Sequence, residues 1–107
     1  MDVRDDIVVV MITAASKSEA EALTQQLLTG RLAACVNAAP VSSKFIWKGA
    51  IDTAEEVLLI AKTRRSLLSK LEECVRRVHS YEVPEIIALP VIAGHTPYLD
   101  WVVESTS

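Results

Sequence analysis

The sequence lacks several features that mark common protein classes. It has only two cysteines, Cys35 and Cys74, which are far apart and without C-x-x-C spacing, so we expect reduced thiols and neither a dithiol redox pair nor a zinc ribbon. There is no excess of basic residues: 11 Lys and Arg stand against 14 Asp and Glu, for a net charge of −3. A nucleic-acid partner is therefore not expected.

Long hydrophobic runs and targeting signals are also missing. The apolar segment Ile7–Ile12 is far shorter than the roughly 20 residues of a membrane-spanning helix. Acidic residues precede it, where a signal peptide would carry positive charge. We therefore expect a cytoplasmic protein with no membrane partner.

What the sequence does have is the composition of one globular domain. It is 107 residues long and half of them are hydrophobic, which suffices to bury a core. Repeats, low-complexity tracts and linkers are not seen. We predict a single domain over residues 1–107.

Hydrophobic periodicity predicts an α+β fold with the element order βαββαβ and a short C-terminal helix. Helix starts are indicated by a capping box at Ser16 and Glu19 and by Thr96 as the N-cap of the last helix, and Gly30 indicates a stop. The predicted strands are Ile7–Thr13, Leu32–Trp47, Ile51–Thr63 and Glu85–Ile92, and the predicted helices are Lys17–Thr29, Ser66–His79 and Thr96–Glu104.

The prolines predict where each strand lies in the sheet. Proline cannot donate to a ladder, so strands that contain it tend to lie at an edge. Pro40, a predicted bend, marks the second strand, and Pro84 and Pro90 mark the fourth. The order 4-1-3-2 follows, which is a ferredoxin-like sheet with both main helices on one face.

The second and third strands form an unusually long hairpin around a turn at Lys48–Gly49. Each strand exceeds a dozen residues, against the usual 5–6, and the tip carries Phe45, Ile46, Trp47 and Ile51. One small domain cannot cover such an arm, and exposed apolar strands with free edges aggregate unless a partner covers them. We therefore expect an oligomer.

The densest polar cluster is His79–Glu85, between the second helix and the fourth strand. Imidazole and carboxylate together suit a divalent transition metal, and His79 and Glu85 are the candidate ligands. The alternative is structural: a helix-terminal histidine gains from the helix dipole, Tyr81 anchors the loop, and Glu82 is simply solvated.

Two further residues are candidates for binding. Cys35 is either a nucleophile or soft-metal ligand, or a small hydrophobic residue of its strand. Lys62 ends the apolar run of the third strand and faces either an anionic ligand or the sheet margin.

Six motifs along the chain together resemble the CutA divalent-ion tolerance proteins. The match runs in register from about Val8 to Val102. The motifs are Arg31–Asn37, Trp47–Gly49, Glu56–Leu58, Lys62–Thr63, His79–Glu85 and Tyr98–Trp101.

The resemblance implies a tight homotrimer of ferredoxin-like domains, similar in architecture to PII signalling proteins. It also implies a cytosolic role in tolerance of Cu(II) or another divalent metal, without enzymatic activity. The polar motif residues would gather in clefts between subunits; here they are Cys35, Lys62, His79, Tyr81, Glu82 and Glu85.

The chain also departs from that family. Some members carry a copper-ligand cysteine where this chain has Ile12, a second histidine where it has Val78, and proline where it has Ser80. Two other functions stay open: a PII-like module that binds an anionic metabolite through Lys62 and Arg65, and a hydrolase that uses Cys35 or His79.

Overall fold

The computed structural model describes all residues, Met1–Ser107. Its elements follow the predicted order, with two additional two-residue strands. They are β1 (Asp2–Val3), β2 (Ile7–Ala14), α1 (Lys17–Thr29), β3 (Cys35–Trp47), β4 (Ala50–Arg64), a 3₁₀ turn (Arg65–Leu67), α2 (Leu68–Val78), β5 (Ile86–Pro90), β6 (Ala93–Gly94) and α3 (Thr96–Ser105).

The four main strands form one antiparallel sheet in the order β3-β4-β2-β5. This is the predicted 4-1-3-2 order, and the ferredoxin-like α+β fold is confirmed. Pro40 and Pro90 do lie in the two edge strands. The small strands β1 and β6 pair separately.

One face of the sheet packs against α1 and α2. Successive strand residues point to opposite faces, and the residues of β2 that alternate toward the helices are fully buried. Each large aliphatic side chain buried in this way contributes roughly 1.5–3 kcal/mol. The main contributors are Val8, Val10, Ile12, Leu23, Leu27, Leu59, Leu71 and Val75.

The ends of α1 differ from the expectation in one respect. The Ser16 hydroxyl accepts a hydrogen bond of 3.2 Å from the Glu19 N–H, as predicted. At the other end Gly30 has an ordinary φ of −79°, whereas Arg31 takes the left-handed conformation with φ +55°. The Leu32 N–H still donates to the Leu27 carbonyl at 2.9 Å, so β3 begins at Cys35 rather than at the predicted Leu32.

Other boundaries also move. The 3₁₀ turn delays α2 to Leu68, β5 is shorter than the predicted Glu85–Ile92, and His95 rather than Thr96 is the N-cap of α3. Capping and turn geometry depend on tertiary contacts, which the hydrophobic pattern of a sequence does not encode. The ends of helices and strands are therefore harder to predict than their order.

The long hairpin is confirmed and is unbroken. β3 and β4 stay in register from the Cys35–Lys62 pair to the Trp47–Ala50 pair, and Pro40 pairs with Val57 without the predicted bend. Lys48 and Gly49 both have positive φ, +50° and +78°, which is the type I′ turn that matches strand twist. The longest dimension of the molecule is 44 Å.

The second face of the sheet is largely open. α3 covers only one end, where Ile7 packs with Leu99 and Val102. Farther along, Ile87 and Leu89 of β5 are about half exposed. None of the three helices has the length and apolar character needed to span a membrane.

Candidate functional site

The predicted polar cluster forms the connection between α2 and β5, His79–Glu85, which we call loop 79–85. α2 ends where the His79 N–H donates to the Val75 carbonyl at 2.8 Å and the backbone then becomes extended. The His79 side chain itself turns inward and is completely buried. The loop thus begins with a buried imidazole rather than a solvent-facing one.

Both ring nitrogens of His79 bond within the chain. Nδ1 accepts the Tyr81 backbone N–H at 3.0 Å, and Nε2 lies 2.7 Å from the Thr13 carbonyl oxygen. A backbone N–H only donates and a carbonyl only accepts, so Nδ1 is unprotonated and Nε2 carries the proton. In this arrangement the imidazole has no free lone pair for a metal.

Glu19, at the first turn of α1, supports the same loop. Its Oε1 accepts the Ala15 N–H at 3.0 Å and lies 3.4 Å from His79 Nε2, while Oε2 accepts the Ser80 N–H at 3.0 Å. Burial alone would raise the pKa of this carboxyl, but the hydrogen bonds from Ala15 and Ser80 outweigh it and lower the pKa. Sequence reasoning identified Glu19 only as a capping residue.

Tyr81 ties the loop to the sheet. Its hydroxyl donates to Glu56 Oε2 of β4 at 2.9 Å, and its ring centroid lies 4.8 Å from that of His79. Partial burial, then the Glu56 hydrogen bond and charge, raise the pKa of the Tyr81 phenol. The Glu82 and Glu85 side chains, by contrast, are exposed.

Cys35 and Lys62 are brought together elsewhere. They are direct partners across β3 and β4 and lie on the open face, because Leu59, Ala61 and Thr63 point the other way. The Lys62 ammonium donates to the Asn37 side-chain carbonyl. Burial, then the nearby Cys35 thiol, raise the pKa of Tyr98 in α3.

The two groups of predicted residues do not meet within one chain. Glu56, which holds Tyr81, is on the same face of β4 as Lys62 but six residues away, or about 20 Å at 3.3 Å per residue. Nor does this chain hold a group of three His, Cys, Asp or Glu side chains arranged for a metal ion. Metal binding by His79 and Glu85 therefore stays a prediction, and within one chain no third such side chain joins them.

These features define a class: a ferredoxin-like α+β domain with an extended hairpin, an open sheet face and a polar loop after its second helix. A family model described as CutA1 divalent ion tolerance protein matches residues 8–105. The chain belongs to this family, as the resemblance in its motifs predicted.

Sequence identity to individual relatives supports the same family. The chain is 43% identical to the divalent-cation tolerance protein CutA of Thermus thermophilus over 99 residues, covering 92% of this chain and 96% of the relative. It is 44% identical to the chloroplastic protein CutA 1 of Oryza sativa, covering 92% of this chain and 56% of the relative. The chain thus spans only about half the length of the rice protein.

Solved structures show the same fold. The CutA of Archaeoglobus fulgidus, described as a periplasmic divalent cation tolerance protein, aligns with a TM-score of 0.93 at 40% identity, over 94% of this chain and 99% of that one. The CutA of Synechococcus elongatus aligns with a TM-score of 0.94 at 32% identity, over 98% and 94%.

Proposed function

We propose that this chain is a homotrimeric, non-enzymatic divalent-ion tolerance protein of the cytoplasm, with its site in the clefts between subunits. The observation that carries the assembly is the uncovered apolar surface. Ile46 and Ile51, partners at the hairpin tip, are 73% and 75% exposed, and Trp47 is 58% exposed. Burial of such surface is the main driving force of association.

The position of the site between subunits is supported by the separation within one chain. Cys35 and Lys62 lie about 20 Å along β4 from the Glu56 that anchors loop 79–85. Residues this far apart share a ligand only if the base of one hairpin meets the loop of another copy. A threefold assembly provides three such clefts.

The ligand that we propose is Cu(II) or another divalent metal, in keeping with the relatives named for divalent-cation tolerance. A cleft that combined the Cys35 thiol of one copy with the exposed Glu82 and Glu85 of another would offer sulfur and oxygen donors. Transition metals accept both, with the preference set by the donor set and geometry.

A PII-like function, binding of a small anionic metabolite, is favoured by one observation. Lys62 places a positive charge beside Cys35 on the open face. Arg65, the second predicted cation, instead donates to the Asp5 carbonyl at 2.7 Å. Lys62 with the Asn37 amide is therefore the contact that an anion would use.

A thermal-shift screen separates the two functions. Cu²⁺ and Zn²⁺ are compared with nucleotides and small carboxylates, because a ligand at one hundred times its Kd stabilises by about 2.7 kcal/mol. A metal function predicts stabilisation by the ions that weakens in Cys35→Ser. An anion function predicts stabilisation by a metabolite that weakens in Lys62→Gln but not in Lys44→Gln, an exposed lysine on the same hairpin. Stabilisation by none of these ligands would contradict both.

A further inference from the structure

We propose that His79 and Glu19 are positioning residues of loop 79–85, and that the imidazole of His79 is not a ligand of the ion. This inference rests on the proposed function, because it concerns which loop residues meet the ion. It replaces the sequence-based expectation that His79 binds the metal. Glu85 keeps that predicted role.

The His79 ring acts as a bridge between the end of β2 and loop 79–85. Through Nε2 it holds the end of β2 at the Thr13 carbonyl, and through Nδ1 it holds the Tyr81 backbone two residues along the loop. For Nδ1 to bind a metal, the Tyr81 N–H would lose its acceptor. For Nε2 to bind one, the ring would lose its proton and its bond to Thr13. A buried donor or acceptor left unpaired is destabilising.

Glu19 completes the bridge because each of its oxygens accepts a backbone N–H. Oε1 accepts that of Ala15 and Oε2 that of Ser80, and His79 Nε2 lies 3.4 Å from Oε1. Only a carboxylate accepts on both oxygens. A glutamine of the same shape would turn an NH₂ group toward one of these donors and lose that bond.

The loop therefore divides into a fixed part and a presented part. His79, Ser80 and Tyr81 are held by Thr13, Glu19 and Glu56. The following residues project into solvent, with Val83 87% exposed. The groups that the loop offers to an ion are then the carboxylates of Glu82 and Glu85. Glu19 and His79 position these carboxylates but do not themselves contact the ion.

The test is ¹H–¹⁵N NMR of the full-length chain, which distinguishes the two imidazole tautomers. The chain has two histidines, and His95→Gln assigns the signals of His79 by elimination. We expect His79 to carry its proton on Nε2, and its ring signals to stay in place when Zn²⁺ is added. A proton on Nδ1, or a ring nitrogen that shifts as a zinc ligand, would overturn the proposal.

Glu19 is tested by amide hydrogen exchange at Ser80 and Tyr81. Glu19→Gln is expected to speed exchange at Ser80 roughly tenfold, as the loss of one hydrogen bond implies, and to disturb the His79 tautomer signals. Glu21→Gln, an exposed glutamate of the same helix, is the control and should change neither. Unchanged exchange in Glu19→Gln would contradict the positioning role.

The zinc titration does not depend on Glu19→Gln, so the proposal can fail even if that variant does not fold. Failure of the proposed function is a separate result. A chain that is monomeric and binds no divalent ion would refute that function while leaving the tautomer and exchange measurements to decide the roles of His79 and Glu19.

Discussion

The phenolic oxygen of Tyr81 lies 2.9 Å from Glu56 Oε2, and this bond ties the loop after α2 to the middle of the long strand β4. The two residues are 25 positions apart in the chain. Glu56 lies on the open face of the sheet, where we expect a neighbouring copy. The loop's position is therefore coupled to the surface that we propose for assembly.

Tyr81→Phe removes this bond and keeps the ring that contacts His79. We expect a loss of about 0.5–1 kcal/mol in the free energy of unfolding, the lower part of the usual range because Tyr81 is 38% exposed. Guanidinium denaturation at fixed protein concentration measures it. A loss as large as in a core truncation, about 3 kcal/mol or more, would mean that Tyr81 has a packing role instead.

Arg4 links the N-terminal segment to α3 and predicts a dependence on acid pH. Its guanidinium contacts three carboxylates: those of Asp2, Asp6 and Asp100. The hydrogen bonds from Arg4 lower the pKa of Asp6 below its ordinary 3.8, although desolvation opposes the shift. This stabilisation is present above the ordinary pKa and is lost as pH falls through the lowered one.

Arg4→Gln should therefore destabilise the protein at pH 7, and the difference from wild type should shrink below about pH 4. Unfolding free energies of both proteins measured between pH 7 and pH 2 check this. A difference that stays constant across that range would show that Arg4 acts through packing rather than through its carboxylate partners.

The Lys48–Gly49 turn predicts two opposite mutational effects. Gly49 has φ +78° and no atom within 4 Å of where a Cβ would lie, so Gly49→Ala pays only the conformational cost, about 1–2 kcal/mol. Lys48, with φ +50°, is replaced favourably by asparagine, which tolerates the left-handed region. Thermal unfolding should therefore rank Lys48→Asn above wild type and Gly49→Ala below it; the reverse order would contradict the type I′ assignment.

Sheet order was predictable because it depends on local chemistry. Proline cannot donate a ladder bond, so Pro40 and Pro90 indicated the edge strands, and the interior strands were recognised by apolar residues on both faces. The end of α1 was not predictable in the same way, because Gly30 is adjacent to the residue that actually takes positive φ, Arg31.

The sequence singled out loop 79–85 as a candidate site, but it did not indicate the hydrogen bonds within the loop. His79 stood out as an imidazole near carboxylates. Its tautomer depends on the Thr13 carbonyl, 66 residues away. Glu19 satisfied a local capping pattern, which concealed its second contact with Ser80, 61 residues away. Such long-range hydrogen bonds have no periodic signature.

The most direct test of the account is the molar mass of the wild-type chain in solution, measured by size-exclusion chromatography with multi-angle light scattering. We infer further copies of the chain from the exposed hairpin tip, the open sheet face and the separation of Lys62 from loop 79–85. We predict a single species of three times the 11.7 kDa chain mass. A stable monomer of 11.7 kDa at micromolar concentration would contradict both the assembly and the shared site.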